Sequence, residues 1–187
     1  MNFMNGIKSN KPIFVATFDD RFLIPKYIKY FIANTLQFCD LNFITPKKNI
    51  NFKKTVNLKS KFKLRTINPN DQNGYKHVKY LFNELFVNYS TNNSIFEKSC
   101  FERWFALNAA TNELKKDDII CLLDTDFLIG MKPIDLFNEC ISKKENDEIH
   151  LIANWNNKYL DTLSPEITFM TKSYLYGFCE YLITIYF

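Results

Sequence analysis

The 187 residues are 47% hydrophobic, 24% charged and 17% aromatic, which suits one domain with a sizeable core and excludes a disordered chain. A formal net charge of +4 permits attraction to phosphate groups or an anionic membrane surface and demands neither. Met1–Pro12 lacks the apolar core of a signal peptide, and no apolar run approaches the ~18 residues of a membrane span. Five cysteines, Cys39, Cys100, Cys121, Cys140 and Cys179, show no C-x-x-C spacing and several lie in apolar stretches, so reduced, buried thiols are expected rather than a disulfide or metal framework. The expectation is a soluble, cytoplasmic protein.

In chain order, Pro12–Phe18 reads as a strand ended by Asp19-Asp20-Arg21. From Pro25 the pattern turns helical, with Tyr27, Ile28, Phe31, Ile32 and Leu36 sharing a face. Leu41–Thr45 offers a second strand, so strand, helix and strand fall within about thirty-five residues, the size of a βαβ unit with a parallel pair. Pro46–Lys61 is rich in Lys and Asn and reads as a loop or irregular edge.

Phe62–Asn68 is a candidate third strand, closed by a turn through Asn73-Gly74. Tyr75, Val78, Leu81, Phe82, Leu85, Phe86 and Tyr89 then recur at helical spacing. Ser94 with Glu97 matches a capping box for the next helix, in which Phe101, Trp104, Phe105 and Asn108 share a face that Glu102 and Arg103 leave. Trp104 and Phe105 read as core at that spacing. Ile119–Leu123 is an unbroken apolar run of the kind buried on both faces of a parallel sheet. Pro133 opens another helix, Ile149–Trp155 reads as a strand, and Ser173–Tyr186 as a last helix with Leu175, Phe178, Cys179, Leu182 and Ile185 on one side. Alternating strands and helices predict an α/β fold: a mostly parallel central sheet with helices on both faces.

The run Ile119–Leu123 ends in Asp124 and Asp126. In extended backbone their carboxylates lie on one side, roughly 6 to 7 Å apart. At an effective dielectric near 20, two unit charges at that distance repel by roughly 2 to 3 kcal/mol. A hard divalent cation, Mg²⁺ or Mn²⁺, would offset the repulsion; water at a strand end is the plain alternative. Asp19 and Asp20 follow the first strand, so in a parallel sheet both acidic pairs face the edge where ligands collect.

Ile13–Leu36, followed at a distance by Cys100–Ile129, resembles glycosyltransferases of the GT-A, Rossmann-like fold, and Ser164–Tyr186 resembles the later part of bacterial members. The resemblance rests on an Arg-bearing aromatic helix, a short turn, and a strand ending in D-x-D. It implies transfer of a sugar from a nucleoside-diphosphate donor to an acceptor hydroxyl in glycan or lipopolysaccharide synthesis. It also implies a single catalytic domain over 1–187, and peripheral membrane association is compatible with it. By the motif match, Asp124 and Asp126 would hold Mn²⁺ or Mg²⁺, with Asp124 also touching the ribose or a metal-bound water. Thr17, Asp19 and Asp20 would line the nucleotide pocket. Asp20 equally suits capping the next turn or pairing with Arg21.

The resemblance implies that Arg103 grips phosphate; the plain alternative is a solvated charge beside Glu102 or an ion pair holding the helix to the loop. His77 and His150 match no motif position. Where the family carries a late His, this chain has Glu166, which would replace it as ligand or base or would solvate a turn. The chain stops inside an apolar pattern at Tyr186-Phe187, which leaves open a missing C-terminal part and a non-catalytic nucleotide-binding remnant. A phosphohydrolase of the haloacid dehalogenase type is the weaker enzyme alternative, because Leu128 stands where that family wants Thr or Val. Nucleic-acid binding is not expected: the Lys-rich segment Lys47–Lys63 belongs to no recognised module.

Overall fold

In the computed structural model the described residues are 11–18, 25–46, 60–126, 128–129, 132–142, 150–152 and 167–186. They form strands β1 (Ile13–Thr17), β2 (Leu41–Ile44), β3 (Leu64–Ile67), β4 (Ile119–Leu123), β5 (His150–Ile152) and β6 (Ile167–Thr171). The helices are α1 (Tyr27–Thr35), α2 (Tyr75–Leu85), α3 (Ser94–Ala110), α4 (Pro133–Ser142) and α5 (Lys172–Tyr186), with a 3₁₀ turn at Pro69–Asp71.

The strands make one six-stranded sheet in the order β3-β2-β1-β4-β6-β5. β1 runs parallel to β2 and to β4, and β2 parallel to β3. β6 is antiparallel to β4 and to β5. The expected α/β, mostly parallel sheet is present, with one antiparallel strand inserted.

Period-two alternation sorts the apolar side chains into two layers. Phe14 and Ala16 of β1 and Ile119, Cys121 and Leu123 of β4 pack with α1 (Ile28, Phe31, Ile32) and with Phe137 of α4. Val15, Ile120 and Leu122 point the other way, onto α2 (Tyr75, Phe82), α3 (Phe105, Leu107) and α5 (Leu175, Cys179, Leu182). Burial on both faces explains why β4 is apolar at every position.

The helices differ from the sequence reading in their faces. Tyr27 and Ile185 are exposed rather than inward, as is Tyr89 beyond the end of α2. Helix α3 is wedged between sheet, α2 and α5, so it has no single polar side, and Glu102 is buried at 3% exposure. Its N-cap is Asn93, whose side chain accepts the Ile95 N–H at 2.8 Å; Glu97 accepts from Ser90 and Asn92 instead of closing a capping box. Trp104 packs edge-on against Phe178, and Phe82 sits amid Phe86, Phe101 and Phe105, as core spacing requires. Cys39, Cys121 and Cys179 are buried free thiols. No described helix is long and apolar enough to cross a membrane.

Candidate functional site

The parallel strands end level with one another. Phe18 donates its N–H to the Ile44 carbonyl at 2.9 Å, and Thr45 donates to the Ile67 carbonyl at 2.9 Å. Past these ends opens a cleft of about 170 Å³. Its sheet side is Thr17, Phe18 and Ile44 with Asp124 and Thr125; its helix side is Phe96, Ser99, Cys100, Glu102 and Arg103 of α3 and Tyr75 and Lys79 of α2. This is the carboxyl edge of the sheet, where α/β proteins collect ligands.

Strand register decides which acid enters the cleft. Ile120 and Leu122 face α3, and Asp124 continues that side with a half-buried carboxylate. The chain then turns at Thr125-Asp126, so the extended geometry expected for the pair does not persist, and Asp126 is exposed. Its charge still reaches Asp124 and the Tyr27 hydroxyl of α1.

Helix α1 holds this turn from both sides. The Tyr27 hydroxyl hydrogen-bonds Thr125. Beyond the turn, Ile129 donates its N–H to Asn34 Oδ1 at 2.7 Å and its carbonyl accepts from Asn34 Nδ2 at 3.2 Å. Burial and the two carboxylates push the Tyr27 phenol above its ordinary value.

Burial pushes Asp124 above the usual carboxylate range, Arg103 draws it back down, and the Asp126 charge raises it further. Arg103 Nη1 lies 3.7 Å from Asp124 Oδ2, and the Thr125 N–H donates to Asp124 Oδ1 at 3.2 Å. Beside them Lys79 Nζ lies 3.6 Å from Glu102 Oε2. The cleft therefore brings two cations and two carboxylates onto one apolar-floored hollow, a surface able to take a ligand that carries both an anion and a counter-cation.

Of the residues singled out in the sequence, Thr17, Arg103 and Asp124 share the cleft, while Asp126 stands outside its lining. Asp19, Asp20 and Glu166 lie outside the described residues. His77 is exposed on α2. Lys79, Glu102, Cys100 and Tyr27 were not singled out. Only the helical spacing of Lys79 from buried Tyr75 could have signalled the first.

Asp124 and Asp126 suit a hard divalent cation as a partial ligand set: among the described residues no group of three or more His, Cys, Asp or Glu is placed to hold a metal. A Mg²⁺-type ion held by one or two carboxylates takes its remaining ligands from water and substrate phosphates. Burial raises Asp124 more than the Arg103 charge lowers it, and a cation at this carboxylate would favour its ionised form.

No known protein family matches the sequence, and no curated protein matches it. Among solved structures, the crystal structure of mouse xyloside xylosyltransferase 1 in its apo form aligns with a TM-score of 0.60 and 12% identity. The match covers 92% of this chain and 74% of that one. At that identity the likeness is one of architecture, and the chain shares its fold with that xylosyltransferase.

Proposed function

We propose that the protein is a metal-dependent glycosyltransferase that moves a sugar from a nucleoside-diphosphate donor to an acceptor hydroxyl. One observation carries the reading: in a fold shared with a xylosyltransferase, the first Asp of D-x-D meets an Arg of α3 in a cleft at the sheet's carboxyl edge.

The bond broken joins the anomeric carbon to a diphosphate oxygen; the bond formed joins that carbon to the acceptor oxygen, which loses its proton. Negative charge collects on the departing diphosphate, where Mn²⁺ or Mg²⁺, when bound, would supply Lewis-acid charge. Asp124 and Asp126 would hold the ion. Arg103 and Lys79 offer donors to phosphate oxygens, and the apolar floor beneath them strengthens those contacts by excluding water. Thr17, Asp19 and Asp20 contact the base or ribose, where ionised carboxylates accept hydrogen bonds from hydroxyl and amino groups. Glu166 serves as the late ligand or as the base for the acceptor proton. The acceptor is a glycan or lipid-linked saccharide of bacterial surface polysaccharide or lipopolysaccharide type, worked on from the cytoplasm.

The test is a panel of nucleotide sugars titrated with and without Mn²⁺, followed by donor hydrolysis. Metal-dependent binding of one donor that disappears in Asp126→Ala supports the assignment. Equally tight binding without metal removes the role given to D-x-D.

A further inference from the structure

Both oxygens of Asp124 are already engaged within the protein: Oδ1 by the Thr125 N–H and Oδ2 by the Arg103 guanidinium. The two side chains are 32% and 24% exposed, so water and salt screen the pair less than they would a surface pair. Arg103 has capacity to spare. Its Nε has no hydrogen-bond partner among the described residues, and its 3.7 Å contact with Asp124 is long for a charge-assisted bond.

We propose that the Arg103–Asp124 ion pair is an electrostatic latch: in the empty cleft it withholds Asp124 from divalent cations, and an arriving diphosphate releases Asp124 by taking Arg103. The inference rests on the glycosyltransferase reading and adds to it the coupling between metal and donor. A dication approaching Asp124 meets a guanidinium on the same carboxylate and is repelled. A diphosphate offers Arg103 a bidentate partner, which ends that competition, and its oxygens complete a ligand set that two carboxylates leave partial. Metal alone and diphosphate alone then each bind weakly, and each raises the other's affinity by the same factor.

The test measures free Mn²⁺ by electron paramagnetic resonance against the full chain, without nucleotide and with UDP or GDP as the probe. The proteins are the unmodified chain, Arg103→Met, Arg103→Gln and Arg103→Lys, each checked by circular dichroism. The neutral variants are expected to bind Mn²⁺ alone at least about fivefold more tightly than the unmodified chain, the lower end of usual coupling. They should also lose most of the nucleotide-induced gain, while Arg103→Lys, which keeps the charge, stays near the unmodified chain. If Arg103→Met does not fold, Arg103→Gln decides. Equal Mn²⁺ affinity in the neutral variants and the unmodified chain overturns the latch. In that case, binding that Asp126→Ala still abolishes leaves the glycosyltransferase reading standing. Absence of Mn²⁺ binding in every protein, with and without nucleotide, removes the latch and the metal role together.

Discussion

Arg103 of helix α3 and Lys172, which reaches the end of α3 from α5, are cations that the protein uses differently. Toward the C-terminal end of α3, buried Lys172 donates to the Asn108 carbonyl at 2.8 Å, to Asn108 Oδ1, and to Thr111 Oγ1 at 3.1 Å. All three ammonium donors are placed, one of them on the backbone carbonyl of Asn108 in the last turn of the helix. Midway along the helix, the Arg103 guanidinium has one long contact to a carboxylate and lies over the Trp104 ring at 5.3 Å, and its Nε has no hydrogen-bond partner among the described residues. A cation whose donors are all spent on the fold is a fastening. One left half-paired beside a hollow is available to a ligand.

The sharpest way to break that contrast is to remove the acid rather than the base. If the cleft is the reaction site, Asp124→Ala should lower sugar transfer by about a hundredfold or more, the scale of losing one preorganised electrostatic partner. Its melting temperature should hold or rise. Lys172→Met should do the reverse. Losing three bonds, and leaving the Asn108 carbonyl with only the 3.3 Å bond from Thr111 Oγ1, should cost about 1 to 3 kcal/mol by denaturant titration, with activity per folded molecule little changed. A Lys172→Met chain that is as stable as the original would show that the lysine fastens nothing.

Lys172 also carries a pH signature. Burial pulls its ammonium below the ordinary lysine value. The unfolded chain therefore holds that proton more tightly than the folded one, and stability at this site rises as pH climbs through the window up to 10.5. The gap in stability between the original chain and Lys172→Met should widen on going alkaline, since the neutral amine still donates.

A smaller effect tests the mounting of the cleft. Asn34 exchanges two hydrogen bonds with the backbone of Ile129, so Asn34→Ala should cost about 1 to 2 kcal/mol and weaken Mn²⁺ retention by loosening the turn before it. Stability loss with unchanged metal retention would mean that α1 supports the fold but not the turn.

How much of this could be read from residues alone follows from which signals are local. β4 was legible because burial on both faces demands five apolar residues in a row, and α5 because Leu175, Cys179 and Leu182 recur on one side. β6 was not read as a strand: Ile167–Thr171 passes directly into α5 with no turn residue between, so nothing in the sequence marks its end or its antiparallel pairing with β4. Helix α3 misled for a related reason. The aromatic stripe of Phe101, Trp104 and Phe105 suggested one inner face, but α2, α5 and the sheet press on several sides, and Glu102 is buried beside Lys79. Periodicity assumes a solvent side that this helix largely lacks. The pairing of Asp124 with Arg103 joins two elements, so only the fold could show which of the two readings of Arg103 the empty cleft adopts.

The smallest predicted effect concerns what the site costs the fold. Asp124 titrates above the usual carboxylate range chiefly because it is buried, and the Arg103 contact does not cancel that. The folded chain thus binds this proton more tightly than the unfolded one, so the contribution of Asp124 to stability is greatest below the ordinary carboxylate pKa. It is lost as pH rises through the folded value. At neutral pH the ionised group is a net liability, and Asp124→Asn should stabilise the protein there by under about 1 kcal/mol, the scale of a partly screened charge. The gain should vanish near pH 3.8, where the acid keeps its own proton in the folded state. Added Mn²⁺ should stabilise the original chain and not the variant. If Asp124→Asn instead lowers the melting temperature at neutral pH, the Arg103 contact is a fastening after all, and the distinction between Arg103 and Lys172 fails.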